Sequence, residues 1–86
     1  MEENMHALME RLNSSSQFLQ SNDMRVTEVR HGFAKVEMII DEQILNIHGF
    51  VHGGALFSLA DTVAGAASFA TGRDSVTLTG TINYIK

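Results

Sequence analysis

Hydrophobic positions change their spacing several times along the chain, and each change marks an element. From Glu2 to Leu12, residues Met5, Leu8, Met9 and Leu12 recur three and four apart, with Glu10 and Arg11 on other faces. That is the spacing of a short amphipathic helix. Asn13, Ser14, Ser15 and Ser16 follow, whose side chains bond their own backbone and make a poor helix interior, so a break or a new cap is predicted there. Phe18 and Leu19 are then expected to tuck into the body. Between Met24 and Asp41 the runs shorten and become rich in β-branched residues. Val26 and Val29 precede a turn at His31-Gly32, after which Ala34, Val36, Met38 and Ile40 alternate with Phe33, Lys35, Glu37 and Ile39. The pattern predicts a two-stranded hairpin with one apolar and one mixed face.

Asp41 to Gly49 has no periodicity and reads as a loop leading into Phe50-Val51-His52-Gly53-Gly54. Ala55 to Ala70 is almost wholly apolar or small, with Asp61 its single charge, and an all-round apolar helix is expected to be buried. Thr71-Gly72-Arg73-Asp74 supplies the stop, Gly72 suiting a left-handed cap. Val76, Leu78, Ile82 and Tyr84 then alternate with Thr77, Thr79, Thr81 and Asn83, a strand pattern in which Gly80 marks a bulge or a close backbone approach. The order is helix, strand, strand, helix, strand, an α+β arrangement.

Composition narrows the class. The 86 residues amount to one small domain, and 44% hydrophobic against 19% charged is a globular balance. With no cysteine, a disulfide framework, a thiol nucleophile and a thiolate metal site are excluded, and an intracellular compartment fits. Six Lys+Arg against ten Asp+Glu leave a net charge of −4, the wrong sign for gripping nucleic-acid phosphates or an anionic membrane. No apolar run reaches the roughly 18–20 residues of a membrane span, and the acidic start is unlike a secretory leader. A cytoplasmic location without nucleic-acid or membrane partners is therefore expected.

Two features carry candidate chemistry. An unpaired carboxylate buried among apolar side chains costs several kcal/mol. Asp61 therefore either faces solvent from an otherwise buried helix or sits in a cleft as general base or nucleophile, where desolvation would raise its pKa. His52-Gly53-Gly54 stands where loop becomes helix. Glycines there admit a ligand close to the backbone, and the first-turn N–H groups point outward with the positive end of the dipole, the recipe for an oxyanion site. Alone, the glycine pair could equally be a flexible N-cap. Gly53 and Asp61 are eight positions apart, about 12 Å along a helix and roughly 80° around it, so one substrate carbonyl cannot meet both in a single copy. Antiparallel helices from two copies would bring them together, which predicts a site shared across a two-fold dimer. His48 and His52 lack a continuous helix between them and a third ligand, so no metal is predicted. His6 and His31 carry no signal, and Met5, Met9, Met24 and Met38 read as core filler.

The run Asn46-Ile47-His48-Gly49-Phe50-Val51-His52-Gly53-Gly54-Ala55-Leu56-Phe57-Ser58-Leu59-Ala60-Asp61 resembles the signature of the hotdog-fold acyl-CoA thioesterases, in their phenylacetate-pathway-like branch. The leading hairpin and the pattern ending Ile82-Asn83-Tyr84-Ile85 are also similar, so the resemblance covers most of the chain from about Ser21 onward. It implies an α+β hotdog fold in which a curved antiparallel sheet wraps a long central helix, here 53–71, after an N-terminal helical segment, 1–20. The resemblance places active sites between protomers of a homodimer or dimer of dimers. It makes Asp61 the general base or nucleophile acting on an acyl-CoA thioester. It gives the Gly53 N–H the task of polarising the thioester carbonyl from the partner, with Gly54 beside it in substrate binding. Asn46 and His52 would orient thioester and water, and Thr77 would help position the attacking water. Gly65 departs from relatives that place a Ser or Thr there. No cofactor is implied, coenzyme A entering as part of the substrate. Hotdog domains continue through further strands, so residues 1–86 are expected to form a single incomplete domain, its helix covered by strands of a longer parent or by partner subunits. A non-catalytic acyl-CoA-binding domain and a truncated structural fragment are the alternatives.

Overall fold

The computed structural model describes residues 2–73 and 75–85 of the chain. The periodic opening forms α1, Glu2–Ser15, and its end is made by side chains. Ser16 leaves the helix at φ −92° and accepts from the Leu19 N–H as the cap of α2, Gln17–Ser21. Gln20 turns its amide back onto the carbonyls of Asn13 and Ser14, at 3.1 and 3.0 Å. This corner buries Leu19 but leaves Phe18 53% exposed, so one of the two hydrophobes expected to tuck in does so and the other does not.

Strands β1, Met24–Arg30, and β2, Phe33–Met38, pair antiparallel around His31-Gly32, with Gly32 at φ 72°. Burial along β1 does not alternate: Met24, Val26 and Val29 are buried, the last two three residues apart. The register slips between Val26 and Glu28, so Thr27 is the extra residue of a β-bulge and Val29 returns to the apolar face opposite Ala34. Leu19, Met24, Val26, Val29 and Ala70 form the buried cluster, with Met5, Leu8, Met9 and Leu12 of α1 packed on it. Ile40, expected to continue the apolar face, lies beyond the end of β2 and is 53% exposed.

The outer side of β1 is closed by Asn13. Its Nδ2 donates to the Val26 carbonyl at 2.9 Å, and its Oδ1 accepts from the Val26 N–H at 2.7 Å. The amide thus pairs with the strand as another strand's peptide would. Val26 is the most buried residue described, at 1% exposure, and a buried backbone group left unpaired costs about 1–3 kcal/mol. Asn13→Ala is therefore expected to lower stability by about 2 kcal/mol or more, read by chemical denaturation. Asn13→Asp restores only the acceptor, so a full recovery by that variant would sink the account.

Asp23 links α2 to β1 at φ 55°, the left-handed region, and its carbonyl receives the Ile39 N–H at 2.9 Å. Its carboxyl is held above its ordinary pKa by a hydrogen bond with Asp41, then by loss of water around it, then by the Asp41 charge. A raised carboxyl binds its proton more tightly in the folded chain. Its contribution is fully present below the unfolded pKa and is lost as pH rises through the folded one. At neutral pH two carboxylates therefore oppose each other. Asp23→Asn removes the repulsion and supplies a residue that tolerates left-handed backbone. We expect its melting temperature to exceed wild type at pH 7 and the gain to vanish below about pH 4; a gain constant with pH would count against the pair.

The apolar run forms α3, Gly53–Phe69, ending two residues short of the expected bound at 71; the stop residue Gly72 sits at φ 90° and donates to the Phe69 carbonyl at 2.9 Å. The expectation of a buried helix is not met here: within α3 only Ala66 is buried. Two strands cover one side of a helix, and the rest of its apolar surface faces outward. Residues 75–85 likewise form no strand, and all of them are exposed, so the predicted alternation does not appear as an inner and an outer face. A strand requires a neighbour for its N–H and C=O groups, and among the described residues none is paired with this segment. It runs extended along α3 in the opposite direction, touching it through Thr77, Gly80 and Tyr84. Among the described residues no helix is long and apolar enough to cross a membrane.

Candidate functional site

The loop before α3 is built around Asn46. Its Oδ1 accepts from the N–H groups of His48 and Phe50, at 2.9 and 3.1 Å, and its own N–H donates to the Phe50 carbonyl at 2.7 Å. Gly49, at φ 81°, permits the tight return. His52 is then anchored by its N–H to the Ile44 carbonyl at 2.7 Å.

His52 is the N-cap of α3, and its Nδ1 accepts from the Gly54 N–H at 2.8 Å. The neutral ring accordingly carries its proton on Nε2. Accounting for the first-turn donors isolates one group. Gly54 is taken by the His52 ring, and Ala55 and Leu56 both donate to the His52 carbonyl, at 2.9 and 3.2 Å. The Gly53 N–H is left with no acceptor among the described residues, at the positive end of a 17-residue helix. At Gly54 a Cβ would stand 3.1 Å from His52 Nδ1, a tight contact against the capping ring.

Asp61 lies two turns further along α3. Thr77 Oγ1 donates to its Oδ1 at 2.5 Å, so the carboxylate and the hydroxyl are brought together from elements 16 residues apart. The pair stands between two open grooves. One, of about 390 Å³, is lined by Leu12, Val26, Gly65, Ser75 and Val76, and the other, of about 330 Å³, by Phe57, Ala60, Gly80 and Ile82, with Asp61 and Thr77 in both walls. Asp61 is exposed, so of the two alternatives the carboxylate faces solvent from the helix and is not held in a desolvated cleft. Gly65, where the family resemblance anticipates a hydroxyl, has open space around it. Among the described residues the carboxylate is engaged only through Oδ1.

Asp61 and Thr77 therefore meet, as do His52, Gly53 and Gly54, but the two groups remain about 12 Å apart along the helix. Asn46 belongs to the second group through the loop it organises. Tyr84 joins that group from the far end of the extended segment, its hydroxyl donating to the Gly53 carbonyl at 2.6 Å. The sequence pattern assigns it no role, since a contact 31 residues distant leaves no periodic trace. Among the described residues no three His, Asp or Glu side chains converge as a metal site would require.

Residues 48–86 match the thioesterase superfamily. A protein of Archaeoglobus fulgidus named as an esterase is 39% identical over 64 residues, 74% of this chain and 42% of that protein. The acyl-coenzyme A thioesterase PaaI of Escherichia coli K12 is 39% identical over 61 residues, 71% of this chain and 44% of the enzyme. Among solved structures, E. coli PaaI, described as a protein of the phenylacetic acid degradation operon, superposes with a TM-score of 0.81 at 33% identity, over 98% of this chain and 58% of that one. A conserved Pseudomonas aeruginosa protein superposes with a TM-score of 0.76 at 35% identity, over 83% of this chain and 59% of that one. The chain thus spans less than half the length of the curated relatives it matches. The helix, the hairpin and the loop that joins them are those of the hotdog architecture, and the chain belongs to the thioesterase superfamily, in its PaaI-like branch.

Proposed function

We propose that the chain carries the catalytic half-sites of an acyl-CoA thioesterase, with Asp61 as general base or nucleophile and the Gly53 N–H of a partner copy as oxyanion donor. The observation that carries this reading is the Asp61–Thr77 pair at 2.5 Å, a carboxylate held in the middle of an apolar helix with one oxygen oriented by a hydroxyl. As a base, Oδ2 takes a proton from water as the water oxygen attacks the thioester carbonyl. The carbonyl oxygen becomes an oxyanion, and collapse of the tetrahedral intermediate releases the carboxylic acid and the coenzyme A thiol. Acting instead as nucleophile, Oδ2 attacks the same carbon, the thiolate leaves, and water hydrolyses the resulting anhydride.

The negative charge that develops on the carbonyl oxygen needs a fixed donor. One preorganised N–H is worth roughly 3–4 kcal/mol in the transition state, and Gly53 offers an unengaged one at a helix N-terminus. The distance between Gly53 and Asp61 within one helix supports a site composed from two chains. His52 contributes by holding the first turn of α3 and by presenting Nε2–H outward, and Asn46 by fixing the loop that delivers His52. Small acyl or aryl groups are the substrate class proposed, and soluble self-association as dimer or dimer of dimers is the assembly.

The test measures thiol release from short acyl- and aryl-CoA esters by the full chain. Binding of the thioester in a calorimeter without thiol release would overturn the catalytic reading in favour of a binding domain. Shared sites are tested by mixing two inactive variants. Asp61→Asn removes the carboxylate. Gly53→Pro removes the N–H at the helix position where proline is best tolerated, after a residue at φ −61°, ψ 137° that suits a following proline. Random mixing should restore about a quarter of wild-type activity, since half the dimers carry one intact site of two. Recovery of none would place both groups in a single chain's site.

A further inference from the structure

Gly53 is the residue of α3 least able to hold its own conformation. It has no side chain to restrict φ and ψ, and it stands at the first helical position, where its N–H makes no intrahelical bond. Its φ is not positive, so backbone conformation does not require a glycine there. Tyr84 lies close against it instead: a Cβ at position 53 would stand 3.3 Å from the ring Cζ and 3.4 Å from the hydroxyl oxygen, so the ring would have to give by a few tenths of an ångström. The same hydroxyl donates to the Gly53 carbonyl at 2.6 Å. Ring and hydroxyl together grip the residue from one side.

We propose that Tyr84 is a positioning residue of the thioesterase site: by holding the Gly53 carbonyl it fixes the direction of the Gly53 N–H, on the other side of the same Cα, toward the substrate carbonyl. This rests on the role assigned to Gly53 under Proposed function. Tyr84 touches neither the substrate nor the reacting atoms and acts through the glycine. The clamp also ties the site to residues 75–85, because the segment that orients Asp61 through Thr77 is the one that orients Gly53 through Tyr84. Each chain therefore presents a carboxylate and an amide set by a single extended segment, for use in two different composite sites.

An oriented donor stabilises the oxyanion of the transition state more than the carbonyl of bound substrate, so its loss falls on kcat. Tyr84→Phe deletes the hydroxyl and keeps the ring. We expect kcat to fall about tenfold with KM within about twofold, and the order parameter of the Gly53 amide to drop from about 0.85 to below about 0.6 while the middle of α3 is unchanged. Unchanged kcat overturns the proposal, and so does a rise in KM at constant kcat, which would make Tyr84 a substrate contact. Asp61→Asn, assayed alongside, separates this from the parent reading. Activity lost in Asp61→Asn and kept in Tyr84→Phe removes the clamp and leaves the catalytic assignment. Activity indifferent to Asp61 removes that assignment, and a Gly53 amide equally ordered with and without the hydroxyl then removes the clamp as well.

Discussion

Asp61→Asn should reduce thioester turnover about a hundredfold or more, the lower end of what a positioned general base contributes, with little effect on KM or melting temperature. The substitution is chosen for what it preserves. Asn has the same shape, and its Oδ1 still accepts from Thr77 Oγ1, so the contact at 2.5 Å and the course of residues 75–85 survive. Only the ability to take a proton or to attack carbon is removed. Because the side chain is exposed, no buried charge is lost or created, and stability should stay within about 0.5 kcal/mol of wild type. A rate within a few-fold of wild type would remove Asp61 from the chemistry under either the base or the nucleophile description. A large drop accompanied by unfolding would reassign it to the fold.

The second large effect is expected at a residue with no chemistry of its own. A Cβ at Gly80 would stand 2.7 Å from Cζ of Phe57, closer than any real contact. Gly80 lies between the two residues that grip α3, Thr77 and Tyr84, and its lack of a side chain lets the extended segment approach closely enough for both to reach. Gly80→Val cannot be accommodated while the Phe57 ring stays in place. Overpacking of this kind costs about 1–3 kcal/mol, and the strain is relieved most easily by lifting a segment that no ladder holds. We expect turnover to fall by about tenfold or more, the loss of positioned groups carrying the penalty, and the Asp61 and Gly53 environments to change together in NMR spectra. Phe57→Ala in the same chain opens the space and should recover most of the loss. If the double variant is as impaired as the single, the approach to Phe57 is not what Gly80 provides.

These residues mark where the sequence is legible and where it is not. The turn at His31-Gly32, the cap at Ser16, the stop at Gly72 and the close approach at Gly80 could be anticipated because each depends on a local property of one residue: a positive φ, a hydroxyl after a helix, a missing Cβ. The length of α3 and the position of Asp61 within it follow from apolar content alone. The bulge at Thr27 left a trace in the three-residue spacing of Val26 and Val29, which strict alternation would not produce. Asn13 and Tyr84 left none. Each reaches a backbone group 13 or 31 residues away, and a side chain bonding to a distant peptide has no period and no required neighbour. The exposure of α3 differs from expectation for a physical reason: hydropathy reports that a surface will be covered without saying by what.

The clasp of Asn13 on Val26 gives the hairpin a polarity. With the β1 side occupied by an amide that already answers both backbone groups of its most buried residue, a further strand added there would have to displace α1. The β2 side carries no such plug among the described residues. The sheet can therefore be extended in one direction only, by strands laid beside Phe33–Met38, and a single side chain at the end of the first helix decides which way the molecule grows.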